Sequence, residues 1–244
     1  MRLAVKHKWR VSTTEARKIQ DGLREKWQGD DRLRTILTVA GLDAAFILKG
    51  PQGFQAIRNR WAAVAEANRA IAGVVVYKYP EMEELERARA MIRLEFPYLP
   101  GFLSFREIPA LLAALKKLKT MPDLLFCDGQ GYAHPRRMGL ASHLGILLDR
   151  PTIGCAKSIL IGEHGPLGAK KGTWTPLIDG KETIGAALRT RDGVKPVYVS
   201  QGHRVSLKTA VQLTLSVSDE TRIPRPTRDA DRLVSEVKRR LARP

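Results

Sequence analysis

The chain has 244 residues, enough for one large domain or two small ones with a sizeable core. Its 42 Lys and Arg against 25 Asp and Glu give a formal charge of +17, spread along the chain, which argues against a small-molecule enzyme and for a polyanionic partner; a solubilising surface charge is the other reading. With no 18-residue apolar run and no charged-then-apolar leader, the sequence predicts a soluble, cytoplasmic protein without a membrane span.

In chain order, Ser12-Thr13-Thr14-Glu15 has the form of a capping box, and Ala16, Ile19, Leu23 and Trp27 recur behind it at helical spacing, predicting an amphipathic helix. Ile36 to Phe46 is rich in β-branched and apolar residues and reads as a central strand carrying Asp43, an unusual place for a carboxylate. Gly50-Pro51-Gln52-Gly53 is loop chemistry, and Ala56 to Ala72, with Arg58, Arg60 and Arg69, predicts a basic surface helix. Val74 to Tyr77 returns to strand, with another within Ala88 to Phe96. From Phe96 to Leu103 two prolines and a glycine forbid helix and force an exposed loop with large apolar side chains. These either pack against the next helix or act as a wedge between stacked bases. Ser104 and Glu107 open a helix through Leu111, Leu112, Leu115 and Leu118 at capping-box spacing, which by itself makes Glu107 a cap.

Leu124 to Cys127, bounded by Pro122, Gly129 and Gly131, reads as a buried strand. Asp128 at its end needs a hydrogen-bonding partner, a cation or a metal ion if it is buried, although Asp128-Gly129 is equally an ordinary turn. Gly139 to Leu148 is helical, and Pro151 to Ser158 is a strand ending at Lys157. The two cysteines, Cys127 and Cys155, lie inside these apolar runs and read as small buried hydrophobes in a reducing compartment. Residues 162–173 look like a Gly- and Lys-rich loop; Asp179-Gly180 and Asp192-Gly193 punctuate hairpin strands at Thr183 to Leu188 and Pro196 to Ser200. Gln201-Gly202-His203 reads as a loop before a helix from Ser206, and Ile223 to Arg228 introduces a closing helix with Asp231 one turn past Thr227.

The elements add up to a mixed α/β domain with helices packed on the sheet. Asp43, Glu107, Asp128 and Asp231 would repel one another if brought together without a cation between them. Mg2+ is the natural candidate because it takes oxygen ligands and keeps waters that can be activated. A polycationic surface around such acids is the outline of a metal-dependent nuclease.

Val39-Ala40-Gly41-Leu42-Asp43, Pro97 to Glu107, Asp128 to Arg136, Gly139 to His143, Gly154 to Ser158, Pro196 to His203 and Arg222 to Arg228 together resemble endonuclease V, in order and over nearly the whole chain. The resemblance implies a ribonuclease H-like mixed sheet flanked by helices, and a single catalytic domain over residues 1–244 with an extra basic helical segment at about 47–72. It implies a monomeric DNA repair endonuclease that nicks the second phosphodiester 3′ to deoxyinosine, leaving 3′-hydroxyl and 5′-phosphate. It further implies Mg2+ as cofactor, with Mn2+ substituting; cleavage of inosine-containing RNA is the alternative. Matched position by position, Asp43, Glu107 and Asp128 are metal ligands, Lys157 faces the attacking water or scissile phosphate, and Asp231 is a further catalytic acid. Tyr98, Leu99 and Pro100 form a strand-separating wedge. Gly129, Gly131 and His134 border a pocket for the flipped base, with His134 within reach of phosphate or a metal-bound water.

Overall fold

The computed structural model describes residues 1–47 and 67–241. Among the described residues nine strands form one mixed sheet: β1 (Thr38–Ile47), β2 (Arg69–Lys78), β3 (Glu84–Arg93), β4 (Leu124–Cys127), β5 (Thr152–Ala156), β6 (Glu163–His164), β7 (Trp174–Asp179), β8 (Glu182–Leu188) and β9 (Val197–His203). Their order is β3-β2-β1-β4-β5-β9-β8-β7-β6. β4 runs parallel to both β1 and β5, while the flanking pairs are antiparallel. The helices are α1 (Thr13–Arg24), α2 (Leu103–Leu115), α3 (Leu140–Leu148), α4 (Leu207–Ser216) and α5 (Arg225–Leu241).

Side-chain alternation sorts the core into two layers. Ala40, Leu42, Leu125 and Cys127 pack with α2 and α3 on one face. Val39, Leu124 and Phe126 pack with α4 and Leu233 of α5 on the other. Both cysteines are buried free thiols, as their apolar surroundings predict. Among the described residues no helix is long and apolar enough to cross a membrane.

Several expectations need correction. Of the basic helix expected over Ala56 to Ala72, residues 56–66 lie outside the described residues, but Arg69 to Ala72 belong to β2, where Ala70, Ile71 and Ala72 pair with Phe46, Ala45 and Ala44. The capping box of α1 forms at Ser12 and Glu15, yet the helix ends at Arg24; Trp27 lies beyond it, stacked on Tyr132 at 4.2 Å. No side chain caps α2. Ser104 instead donates its hydroxyl to His143 Nδ1 (3.1 Å), because the first turn of α2 is buried against α3. Gln201 to His203 continue β9 instead of forming a loop, since the ladder with β5 persists to Thr152.

Candidate active site

Parallel pairing builds the site. Leu42 lies opposite Cys127 as the last pair of the β1–β4 ladder, so the next residues, Asp43 within β1 and Asp128 just past the end of β4, come side by side. The Asp128 amide donates to the Leu42 carbonyl at 2.9 Å and holds that register past the last pair. Cys127 in turn faces Gly154 of β5, which brings Lys157 to the same edge. Lys157 Nζ donates to Asp128 Oδ2 at 2.5 Å and lies 3.4 Å from Asp231 Oδ2.

Asp231 reaches this edge because α5 lies directly on the sheet. A Cβ on Gly41 would come within 1.9 Å of the Pro226 carbonyl oxygen, and one on Gly73 within 2.9 Å of Val234. Only hydrogen side chains permit that approach. Glu107 arrives from the opposite layer, buried on α2 just past its first turn.

The electrostatics follow from burial. Asp43 and Glu107 are 9% and 8% exposed. Burial pushes the Asp43 carboxyl well above the usual range, and the neighbouring Asp128 and Asp231 push it further, against the pull of Lys157. Burial likewise raises Glu107, with Asp43 and Asp128 adding to it and Arg106 opposing. Burial pulls Lys157 down, but Asp128 and Asp231 outweigh it and keep the ammonium charged.

Among the described residues no three His, Cys, Asp or Glu groups form a ready-made metal cage. Lys157 bridges Asp128 and Asp231 instead. The donor chemistry nevertheless fits a hard divalent cation: the acids supply only oxygen, and one ammonium does not balance them.

The other expected residues fall beside this cluster. Tyr98, Leu99 and Pro100 lie on the loop before α2, with Pro100 exposed, Tyr98 and Leu99 half-buried, and Leu99 packed on the Phe96, Phe102 and Phe105 rings. The turn after Asp128 is held on three sides: Gly131 N–H donates to Ser200 Oγ (2.9 Å), Tyr132 N–H to the Gln201 carbonyl (2.7 Å), and Ala141 N–H to the Gln130 carbonyl (3.0 Å). His134 is buried with both ring nitrogens engaged. Nδ1 accepts the Arg136 amide (3.1 Å), so Nε2 carries the proton and donates to the Gly101 carbonyl (3.1 Å). Burial first, then Arg136, lowers its pKa to about 4, so the ring is neutral at physiological pH.

Sequence reasoning missed Arg106, Arg137 and Gln20. Arg106, 2% exposed, donates to the Phe96 and Ala67 carbonyls at 3.0 and 3.2 Å and lies over the Phe46 ring, tying the β1 end to the Tyr98 loop. Arg137 forks to Asp179 and Glu182, both at 2.8 Å, while the Tyr132 hydroxyl donates to Glu182. Gln20 could have been found, since it stands four residues past Ala16 on the buried stripe of α1.

Carboxylates converging beside a lysine at the edge of a mixed sheet, within a chain of charge +17, define an enzyme that works on nucleic-acid phosphodiesters. The endonuclease V family model matches residues 21–232. A relative named endonuclease V from Roseiflexus castenholzii is 48% identical over 236 residues, covering 97% of this chain and 98% of its own. The crystal structure of endonuclease V from Streptomyces avermitilis superposes with a TM-score of 0.85 at 38% identity over 98% of each chain. Ciona intestinalis endonuclease V, solved in complex with a 23mer DNA containing an inosine followed by a ribo-adenosine, gives a TM-score of 0.77 at 26% identity, covering 95% of this chain and all of that one. The chain therefore belongs to the endonuclease V family and is a nuclease with that family's mixed α/β fold.

Proposed function

We propose that this chain is a DNA repair endonuclease that nicks the second phosphodiester on the 3′ side of a deoxyinosine, leaving a 3′-hydroxyl and a 5′-phosphate. The observation that carries the reading is the convergence of Asp43 within β1, Asp128 just past β4 and Asp231 on α5 around Lys157 just past β5, with Glu107 against Asp43 and Asp128. The inosine-containing strand in the Ciona complex supports the substrate.

Asp43, Asp128 and Glu107 would hold a divalent cation, Mg2+ with Mn2+ as substitute. When bound, such a cation polarises the scissile phosphate and lowers the pKa of a coordinated water. Lys157, charged and directed between Asp128 and Asp231, donates to a non-bridging phosphate oxygen or orients the attacking water. Asp231, also contacted by Ser235 Oγ at 3.4 Å, accepts the proton that water releases. Tyr98, Leu99 and Pro100 separate the strands, and the turn of Gly129, Gly131 and His134 borders the flipped base. Flipping costs a few kcal/mol and is easiest for a mispaired base, so the duplex supplies part of the selectivity.

A second reading, cleavage of inosine-containing RNA, is favoured by the ribo-adenosine after the inosine in that complex. One experiment separates the two: a labelled duplex with a central deoxyinosine, and its RNA counterpart, incubated with Mg2+ or EDTA and with Asp128→Ala. Mg2+-dependent nicking of DNA one nucleotide beyond the lesion, lost in the variant, is the expected result. Cleavage of RNA alone transfers the activity to RNA, and cleavage persisting in EDTA removes the metal from the reading.

A further inference from the structure

The loop carrying Tyr98, Leu99 and Pro100 joins β3 to α2 and turns at Gly101, whose φ of +79° is the left-handed conformation glycine tolerates. Loops of this kind move unless something ties them. Here the tie is the Gly101 carbonyl, which receives three side-chain donors: Gln20 Nε2 at 3.1 Å, His134 Nε2 at 3.1 Å and the Arg136 guanidinium at 2.5 Å.

Gln20 is the hub of this knot. It is fully buried on α1. Its Oε1 accepts from Arg136 Nε at 2.6 Å, and its Nε2 also reaches the Met138 carbonyl at 3.3 Å. One amide thus satisfies an acceptor on the loop, a donor on Arg136 and a carbonyl just before α3, using one oxygen and both hydrogens of the group. Arg136 in turn lies over the Phe102 ring, with its guanidinium carbon 4.2 Å from the centroid. Gln20 falls just outside residues 21–232, the span matched by the family model.

We propose that Gln20 is a positioning residue for the wedge: it locks the Tyr98–Pro100 loop to the turn that follows Asp128, so that strand separation and the cutting site stay in register. The inference rests on the wedge reading given under Proposed function. Its consequence is selective. A wedge acts only where a complementary strand must be parted, whereas the carboxylate cluster would act on the cut strand itself.

The test is single-turnover nicking of a deoxyinosine strand, alone and annealed to its complement, by wild type, Gln20→Leu, Gln20→Glu and Tyr98→Ala, each checked for folding by its thermal midpoint. Gln20→Glu keeps the shape and the acceptor for Arg136 but loses both N–H donors, so it serves if the leucine variant fails to fold. We expect the Gln20 variants to lose about tenfold on the duplex while the single strand changes less than about twofold, misplacement by around an ångström being enough for such a loss. Equal losses on both substrates, or none on either, would overturn the role of Gln20 provided Tyr98→Ala lowers the duplex-to-single-strand ratio. If Tyr98→Ala leaves that ratio unchanged, the wedge reading falls, and this inference with it.

Discussion

His134 and His203 show how burial sets the behaviour of single side chains. Both have their pKa lowered from 6.5 to about 4, in each case by burial first and then by a neighbouring arginine, Arg136 or Arg204. The unfolded chain therefore binds these protons more readily than the folded one. The stabilisation is complete above pH 6.5 and is lost as pH falls through about 4, amounting to about 3 kcal/mol for each ring at most. Asp43 and Glu107, raised instead of lowered, act in the opposite sense: their contribution is full at acid pH and disappears as pH rises. The histidine part is isolated by comparing wild type with His203→Gln in urea melts from pH 7 to pH 4. The wild type should lose its advantage across that range, and parallel curves would contradict the assignment.

Secondary-structure elements place the acids through contacts that only glycine allows. Gly41 on β1 faces Pro226 at the start of α5, and Asp231 lies one and a half turns along that helix. Gly41→Ala forces the helix off the sheet. Overpacking of this kind costs about 1–3 kcal/mol, and nicking should fall further than stability because Asp231 leaves Lys157. The check is a thermal melt paired with single-turnover nicking well below the melting temperature; full activity there would mean that α5 does not set the position of Asp231. Ser104→Ala on α2 provides a contrast. It removes the bond to His143 and costs about 1 kcal/mol without displacing a carboxylate, so activity per folded molecule should be kept.

At the level of the whole molecule the charge of +17 governs association more than chemistry. Binding that neutralises backbone phosphates releases counterions, and affinity for duplex DNA should fall with a slope of about −0.9 per phosphate contacted on a log–log plot. A footprint of about six to ten phosphates then loses roughly 10³ to 10⁵ in affinity between 50 and 200 mM salt. A titration by fluorescence anisotropy reads this directly, and a flat response would assign the positive charge to solubility alone.

Local pattern alone determined the element types around the site: the apolar run of β4, the capping box of α1, the strand that carries Asp43, and the helices of Leu111 and Leu144. Such signals depend on neighbours within a few residues, and the motifs from Val39 to Arg228 were enough to indicate the family. Tertiary structure decided the rest. The parallel register that sets Asp43 beside Asp128 joins distant segments. Ser104, a cap by spacing, became a partner of His143 because α2 packs on α3, and Gln201 to His203, loop-like in composition, were drawn into β9 by the ladder from β5. Gln20, an ordinary polar residue on a helix, acquired its place at Gly101 only when α1 closed over the loop. Packing overrides local preference wherever a buried polar group must find its partner across the fold.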